Sequence, residues 1–336
     1  MKYILGIDGG GSTTTAVLAD GTGKVVGAGQ GGASNYQTIG LETACDSLSA
    51  AIMAAIDDAG VNSSVTASDL EANLVIMLGL AGADRPWDKA RLQAALKPKL
   101  PIQPAQLLIE NDARIALAGA AGNRPGIILI AGTGSIALGI DQEGRQVRAG
   151  GWGPILGDEG SGYSIGRAAL TAILREYDGR GRPTSLTKRV LSQLDITNPE
   201  ELIPLVYQGP LKRPKIARLA EVVLDEASQG DPVSQYLITT AAQELVDIAG
   251  AVIKRLGWSC QPTTIAGTGG LLRPGNPIWK AIIQILAQSY AQSSLVPPLL
   301  PPVLGAILLG KAYLSKSSPH PDFMRNLRVY FQIQRP

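Results

Sequence analysis

Histidine is almost absent from this chain: its 336 residues include one, His320, near the end. Acid–base chemistry or a metal ligand set would therefore have to rest on carboxylates. Cysteine is nearly as scarce. Cys45 and Cys260 are the only two, which excludes a disulfide scaffold and a cysteine zinc site and suits a reducing compartment. An excess of either charge is also missing: 30 Lys and Arg against 28 Asp and Glu leave +2, so no general field draws the chain to nucleic acid or to a membrane surface. There is no Gly-x-x-x-x-Gly-Lys-Ser/Thr loop, which removes that class of phosphate binder. The opening MKYILGID is too short an apolar stretch for a signal peptide, and Asp8 interrupts it. Residues 281–310 carry no charge, but a largely polar stretch at 288–294 and prolines at 297, 298, 301 and 302 break them up. A spanning helix needs about 20 mostly apolar residues in a row. A buried helix, a proline-rich corner and a second buried helix are expected there, in a cytoplasmic protein with no membrane or nucleic-acid partner.

What is present has an ordinary globular balance, 45% apolar and 17% charged residues, and the length admits two domains with separate cores. Residues 3–8, 14–20 and 24–28 read as three strands set apart by glycine turns. Leu41, Ala44, Cys45, Leu48, Ile52, Ala55 and Ile56 fall on one stripe at helical spacing. Cys45 on that stripe reads as a buried, inert thiol. Apolar runs at 74–80 and 106–109 read as further strands, each followed by a helix, an α/β layer pattern.

The chain also repeats itself. ILGIDGGGSTTTAVLADGTGKVV (4–26) and IILIAGTGSIALGIDQEGRQV (127–147) are each an apolar strand, a Gly-x-Gly-Ser turn and a second apolar strand. Asp20, Gly23, Lys24 and Val26 then match Asp141, Gly144, Arg145 and Val147, at +3, +4 and +6 from the Asp in each. Two domains of one fold, each opening with a glycine-tipped hairpin, account for the match. Such tips, facing each other across a cleft, would bring bare backbone N–H groups to a polyanion, since glycine has no Cβ to hold it off. Ser12, Thr13, Thr133 and Ser135 add hydroxyls, and Asp8 can hold Mg²⁺ through its water shell. A third cluster, TTIAGTGGLLRPG (263–275), follows another short apolar strand and would pass under an adenosine. The first glycines lead into a strand rather than a helix, which argues against a dinucleotide-binding fingerprint.

With these motifs in order, the sequence resembles the sugar kinase, actin and Hsp70-like ATPase superfamily. Within it the chain is most similar to the BadF/BadG/BcrA/BcrD ATPase family and its N-acetylglucosamine kinases. The carrying stretches are DGGGST (8–13), GGASNYQTIG (31–40), ENDARIALAG (110–119), AGTGS (131–135), GGWGPILGDEGSGYSIG (150–166), EASQGDP (226–232) and IAGTGG (265–270). GGWG followed by GDEGS is the specific pair; the other turns are shared with many relatives. The resemblance covers about residues 3–314. It implies two duplicated ribonuclease H-like, actin-like ATPase domains of α/β class with a central cleft. They would span 1–116 and 117–302, a helix at about 303–314 returning to the first and 315–336 forming an extra tail. It implies ATP and Mg²⁺ as cofactors, a small amino sugar as substrate, and a homodimer. Asp8, Gly9, Gly10, Gly11, Ser12 and Thr13 would cradle the phosphates, with Asp8 on the metal and Thr133 meeting the phosphates from the other side. Gly267, Gly269 and Gly270, and more loosely Ala227, would line the adenosine pocket. Asn35, Ser135, Gly151, Trp152, Gly153 and Asp158 would hold the sugar, and Asp112 would act as base on its 6-hydroxyl.

By residue type alone Asp112, between the strand QLLIEN and an Ala-rich helix, reads first as a helix N-cap. The resemblance favours a base, because phosphoryl transfer asks for a positioned acceptor and charge neutralisation rather than covalent help. Trp152 between glycines is hard to explain as plain loop, and a pyranose stacked near it with Asp158 accepting from hydroxyls fits pocket anatomy. Asn35 can donate and accept at once, which suits a hydroxyl or an acetamido group. Glucosamine, N-acetylmannosamine and N-acetylmuramic acid stay open as substrates. An ATPase activator of 2-hydroxyacyl-CoA dehydratases is a rival, but its paired cluster-binding cysteines have no counterpart in Cys45 and Cys260. An ATP-dependent interaction protein of the actin kind is another, opposed by GGWG…GDEGS. In the tail, Leu327, Val329, Phe331 and Ile333 alternate with polar residues, which predicts one strand serving packing or dimer contacts, unless the terminus is disordered.

Overall fold

The computed structural model describes residues 2–63, 65–70, 73–83, 85–315 and 320–333. The chain divides into two compact units, residues 1–124 with 298–336, and residues 125–297. The first contains β1 (Tyr3–Gly9), β2 (Thr14–Asp20), β3 (Val25–Gly31), α1 (Tyr36–Ile39), α2 (Leu41–Ser63), α3 (Ala67–Leu70), β4 (Leu74–Leu80), α4 (Pro86–Leu96), β5 (Gln106–Asn111) and α5 (Asp112–Ala121). The second contains β6 (Gly126–Ala131), β7 (Ser135–Ile140), β8 (Gln146–Gly150), α6 (Gly153–Leu156), α7 (Gly162–Tyr177), α8 (Leu186–Gln193), α9 (Leu202–Tyr207), α10 (Arg213–Ser228), α11 (Pro232–Leu256), β9 (Thr263–Thr268), α12 (Pro277–Ser289) and β10 (Ser293–Val296). Then α13 (Pro302–Ser315) and α14 (Pro321–Ile333) complete the first unit.

The repeat read in the sequence is a repeat of topology. The sheets run β3-β2-β1-β4-β5 and, written in the same sense, β8-β7-β6-β9-β10. In each, an antiparallel three-strand meander is extended by two parallel strands. The matched Asp, Gly and basic residues turn out to be turn chemistry. The Asp20 carboxylate accepts from the N–H of Lys24 at 3.1 Å, and Asp141 accepts from Arg145 at 2.7 Å. Gly23 and Gly144 close the turns at φ +87° and +80°, which glycine adopts without strain.

Each unit has its own core. In the first, α2 lays Cys45, Leu48, Ile52 and Ala55 on the sheet, all fully buried. Cys45 is the inert thiol expected, its pKa pushed up by burial. α13 covers the other face with Leu304, Ile307 and Leu308, and a Cβ on its Gly305 would lie 1.9 Å from the Ile115 carbonyl oxygen of α5. That backbone-close packing explains why α5 is built of Ala and Gly. The expected junction at 116/117 falls inside α5, which cannot be cut without breaking this contact; the division lies at 124/125 instead. In the second unit α11 is long and apolar enough to cross a membrane by length and composition, but half of that window is buried in the unit's core. Between the two expected buried helices α12 and α13 the structure adds the short strand β10, beside β9.

The tail departs from expectation. Residues 321–333 form a helix, α14, not a strand. Phe323 and Leu327 are buried and Tyr330 and Phe331 pack beside them, one face at i, i+4, i+7 and i+8. Val329, which a strand would bury on the same face, is 49% exposed. Alternation over so few residues also satisfies a helical stripe, and packing against the first unit decides between them. The Asn326 amide donates to the Thr22 carbonyl at 3.0 Å, and the Lys311 ammonium stands 5.0 Å from the Phe323 ring centre. Lys316, Gln334 and Arg335 of the tail lie outside the described residues.

Candidate active site

In the first unit, β1, β4 and β5 run parallel, and Asp8 and Asp112 stand at the carboxyl ends of the outer two. Asp8 pairs in register with Gly79, which pairs with Glu110; Asp112 follows two residues later. The carboxyl ends of parallel strands are where open α/β sheets bind ligands. Asn111 is the N-cap of α5, accepting from Ala113 N at 2.7 Å, so capping does not require Asp112, the first residue of the helix. Asp112 also accepts from Ala113 N, at 2.8 Å. The two carboxylates feel one another. Burial first, and then the charge of Asp112, push the pKa of Asp8 up from 3.8 to about 6.

The glycine turn beside Asp8 divides in two. A Cβ on Gly9 would lie 2.4 Å from Ser34 Oγ and 2.5 Å from Leu80, so Gly9 is bare to fit the protein. A Cβ on Gly10 would only touch the Thr13 carbonyl oxygen at 3.6 Å, and Gly11 faces open space; Gly11, Ser12 and Thr13 are exposed. Their three N–H groups meet no protein acceptor among the described residues, which leaves a run of donors of the kind that receives anions. The turn is braced from behind. Gly10 N donates to Thr13 O at 3.1 Å, and Gly10 O accepts from Ser34 N and Asn35 N at 2.9 and 3.2 Å. Thr14, fully buried, donates to Gly32 O at 2.7 Å. Asn35 is thus anchored to the turn while its side chain caps α1 by accepting from Gln37 N at 3.1 Å. Gly82, at φ +84°, passes beside Asn35, where a Cβ would lie 3.1 Å from Asn35 Oδ1. Sequence reasoning did not single out Gly82; its signal was the Gly directly after the apolar run of β4.

In the second unit the β6–β7 turn is closed by Gly132 N donating to Gly134 O at 2.9 Å, and Thr133 is exposed at its tip. Ser135 and Asp158 were expected to touch sugar, and the structure gives both internal partners. Ser135 Oγ donates to Glu159 O at 2.6 Å. Asp158, 3% exposed and at φ +60°, accepts from Ser135 N at 3.3 Å and pairs with Arg213 at 2.5 Å. Arg213, absent from the expected set, is the charge that makes a buried Asp158 tolerable; its signal was the basic run LKRPK (211–215) that opens α10. Trp152 is 64% exposed between Gly151 and Gly153, both at positive φ, with the Arg148 guanidinium 4.5 Å from its ring centre. Ile155 and Leu156 beside it are 90% and 80% exposed.

The third glycine cluster splits in the same way. Gly267 is buried, a Cβ there meeting Trp279 at 2.8 Å, so it serves the core. Gly269, at φ +100°, lies over the end of β6, where a Cβ would come within 2.3 Å of Ala131 O, and Gly270 faces open space. Ala227, expected loosely at the adenosine pocket, is buried in the second unit's core instead. Among the described residues no group of three or more His, Cys, Asp or Glu could chelate a metal. Asp8, a carboxylate beside the open turn, is a donor of the kind Mg²⁺ takes, one or two carboxylates with its waters kept.

Two glycine-tipped β-meanders, each extended by parallel strands in one shared order, define a duplicated actin-like ATPase fold. The chain belongs to the BadF/BadG/BcrA/BcrD ATPase family, matching it over residues 5–310. It is 34% identical over 312 residues to an N-acetylmuramic acid/N-acetylglucosamine kinase of Clostridium acetobutylicum, covering 93% of this chain and 99% of that one. It is 33% identical over 313 residues to an N-acetyl-D-glucosamine kinase of Dictyostelium discoideum, covering 92% and 97%. A crystal structure from Chromobacterium violaceum, provisionally described as an N-acetylglucosamine kinase, superposes with a TM-score of 0.75 at 29% identity, over 92% of this chain and 99% of that one.

Proposed function

We propose that this chain transfers the terminal phosphoryl group of ATP to an amino sugar, with the 6-hydroxyl of N-acetylglucosamine as acceptor. The observation that carries the reading is the pair Asp8 and Asp112, at the carboxyl ends of parallel strands in one unit, beside a turn with three unpaired N–H groups. One carboxylate lies beside the glycine turn and the other just past the end of β5, two strands away across β4. That is the division of labour phosphoryl transfer needs.

In this reading the N–H groups of Gly11, Ser12 and Thr13 receive phosphate oxygens, and Asp8 would hold Mg²⁺. Bound there, the metal neutralises charge on the phosphates. Asp112 accepts the proton of the sugar hydroxyl as its oxygen bonds to phosphorus; the bond from phosphorus to the bridging oxygen breaks, and ADP leaves with that electron pair. Asn35, anchored on Gly10, offers an amide to the acceptor. Within the second unit, Asp158 with Ser135 and Arg213 holds that unit's own turn in shape. The relatives' names support an amino sugar as acceptor.

The test is ADP release from ATP over a panel of N-acetylglucosamine, glucosamine, N-acetylmannosamine and N-acetylmuramic acid, with and without excess EDTA. Release that depends on one of these sugars and stops with EDTA is expected. Equal release without sugar would sink the reading and favour an ATPase that drives another process.

A further inference from the structure

α7 carries a second candidate site, on a face that the proposed reaction does not use. Its residues 164, 167, 168, 171, 172 and 175 form one stripe and line a cavity of about 800 Å³ together with the 180–182 turn and the start of α11. The opposite face of α7, at Gly166, packs on Ile216 of α10. Four arginines line the cavity. Arg167 and Arg175 lie about 12 Å apart along the helix axis, and Arg180 and Arg182 come from the turn. Arg180 pairs with Asp178 at 2.7 Å. Arg167, Arg175 and Arg182 meet no carboxylate among the described residues.

The nearby acids are committed elsewhere. Glu176 accepts from Thr184 N and Thr187 Oγ1, and Asp231 accepts from Thr184 Oγ1, Ser185 N and Ser234. These bonds tie the arginine-bearing turn to both helices, as does Gly181 N donating to Arg175 O at 2.7 Å. The turn is therefore built in place before any ligand arrives, which lowers the ordering cost of binding. Ala168, Ala172, Val233 and Leu237 form an apolar floor, and Tyr236, 70% exposed, stands at the rim.

We infer that this cavity binds a small molecule carrying a phosphate monoester on a ring-bearing body. Arginines without a carboxylate partner suit a phosphate dianion, which a guanidinium receives bidentately, where a single carboxylate would gain little in water. The apolar floor and Tyr236 suit a sugar or nucleobase ring, and the volume lies in the range of ordinary ligand pockets. A phosphorylated sugar and a nucleoside monophosphate share that chemistry. The inference does not depend on the kinase reading, since none of these residues enters it.

Titration calorimetry on the full chain separates the sources, using N-acetylglucosamine 6-phosphate, adenosine monophosphate and inorganic phosphate in turn. One ester is expected to bind at least tenfold more tightly than inorganic phosphate. Arg175→Ala with Arg182→Ala should weaken it tenfold or more, while Asp8→Ala leaves it unchanged. Arg167→Ala provides an independent check should the double variant fold poorly. Failure of both esters to bind, binding no tighter than inorganic phosphate, or binding that the arginine variants leave intact would overturn the inference. So would sedimentation in which those variants change only the oligomeric state, since the cavity would then be a contact between copies.

Discussion

At the scale of single residues the site is a contest between two carboxylates. Asp8 titrates near 6 because burial and then Asp112 oppose its charge. In the ligand-free protein this costs stability: the charged form is penalised above pH 6, and the penalty fades as pH falls to 3.8, the unfolded value. Asp8→Asn should therefore stabilise the ligand-free chain at pH 7.5, by on the order of 1–2 kcal/mol after solvent screening, while removing turnover. Thermal melts from pH 4 to 8 should show the variant's advantage growing with pH; a constant advantage, or a loss at pH 7.5, would reject the assignment. Asp112→Asn keeps the shape and removes the proton acceptor. It should lower kcat roughly 10²–10⁴-fold while the KM for sugar stays within a few-fold. Near-normal kcat would return Asp112 to a helix-start role, although Asn111 already fills the capping position.

At the scale of elements, the two units use one turn in two settings. Gly23 and Gly144 share a left-handed backbone, so replacing either by Ala costs about 1 kcal/mol from conformation. Gly144 faces open space, whereas a Cβ on Gly23 would come 2.7 Å from the Phe323 carbonyl oxygen of α14. Gly23→Ala should thus destabilise by clearly more than Gly144→Ala in denaturant melts. Removing residues 317–336 should shrink the difference to a few tenths of a kcal/mol, as double-mutant logic requires. An unchanged difference would mean α14 does not dock on that turn. The turn itself was legible, because Asp, Gly and base at fixed offsets state a local hydrogen-bond pattern. The helical state of α14 was not, because the choice between a period of 2 and one of 3.6 over a dozen residues is made by Gly23 and the α13 face, far away in sequence. The same limit applies at the site. The glycine clusters were visible as clusters, but only packing separates Gly9 and Gly267, which make room for protein side chains, from Gly11 and Gly270, which stay open. Asp158 was read from its loop as a carboxylate for sugar hydroxyls, while its burial against Arg213 depends on a contact across 55 positions.

At the scale of the whole molecule, the order of the chain and the order of the units disagree. The second unit is continuous, residues 125–297, and its core draws on its own helices and sheet. The first is split: one face of its sheet is covered only when α13 arrives after the entire second unit. Gly6 of β1 leaves room for Ile307, and Gly305 brings α13 onto the backbone of α5. Burying side chains such as Leu304, Ile307 and Leu308 contributes about 1.5–3 kcal/mol each, a large part of the 5–15 kcal/mol that a domain retains. Residues 125–297 expressed alone should therefore melt as one cooperative transition. Residues 1–124 alone should stay unfolded or aggregate, with the apolar face of β1, β2 and α5 bare. Joining 1–124 to 298–336 through a short Gly/Ser linker should restore a sharp transition followed by circular dichroism. If 1–124 folded cooperatively without the added segment, α13 would be an accessory to that sheet, not half of its core.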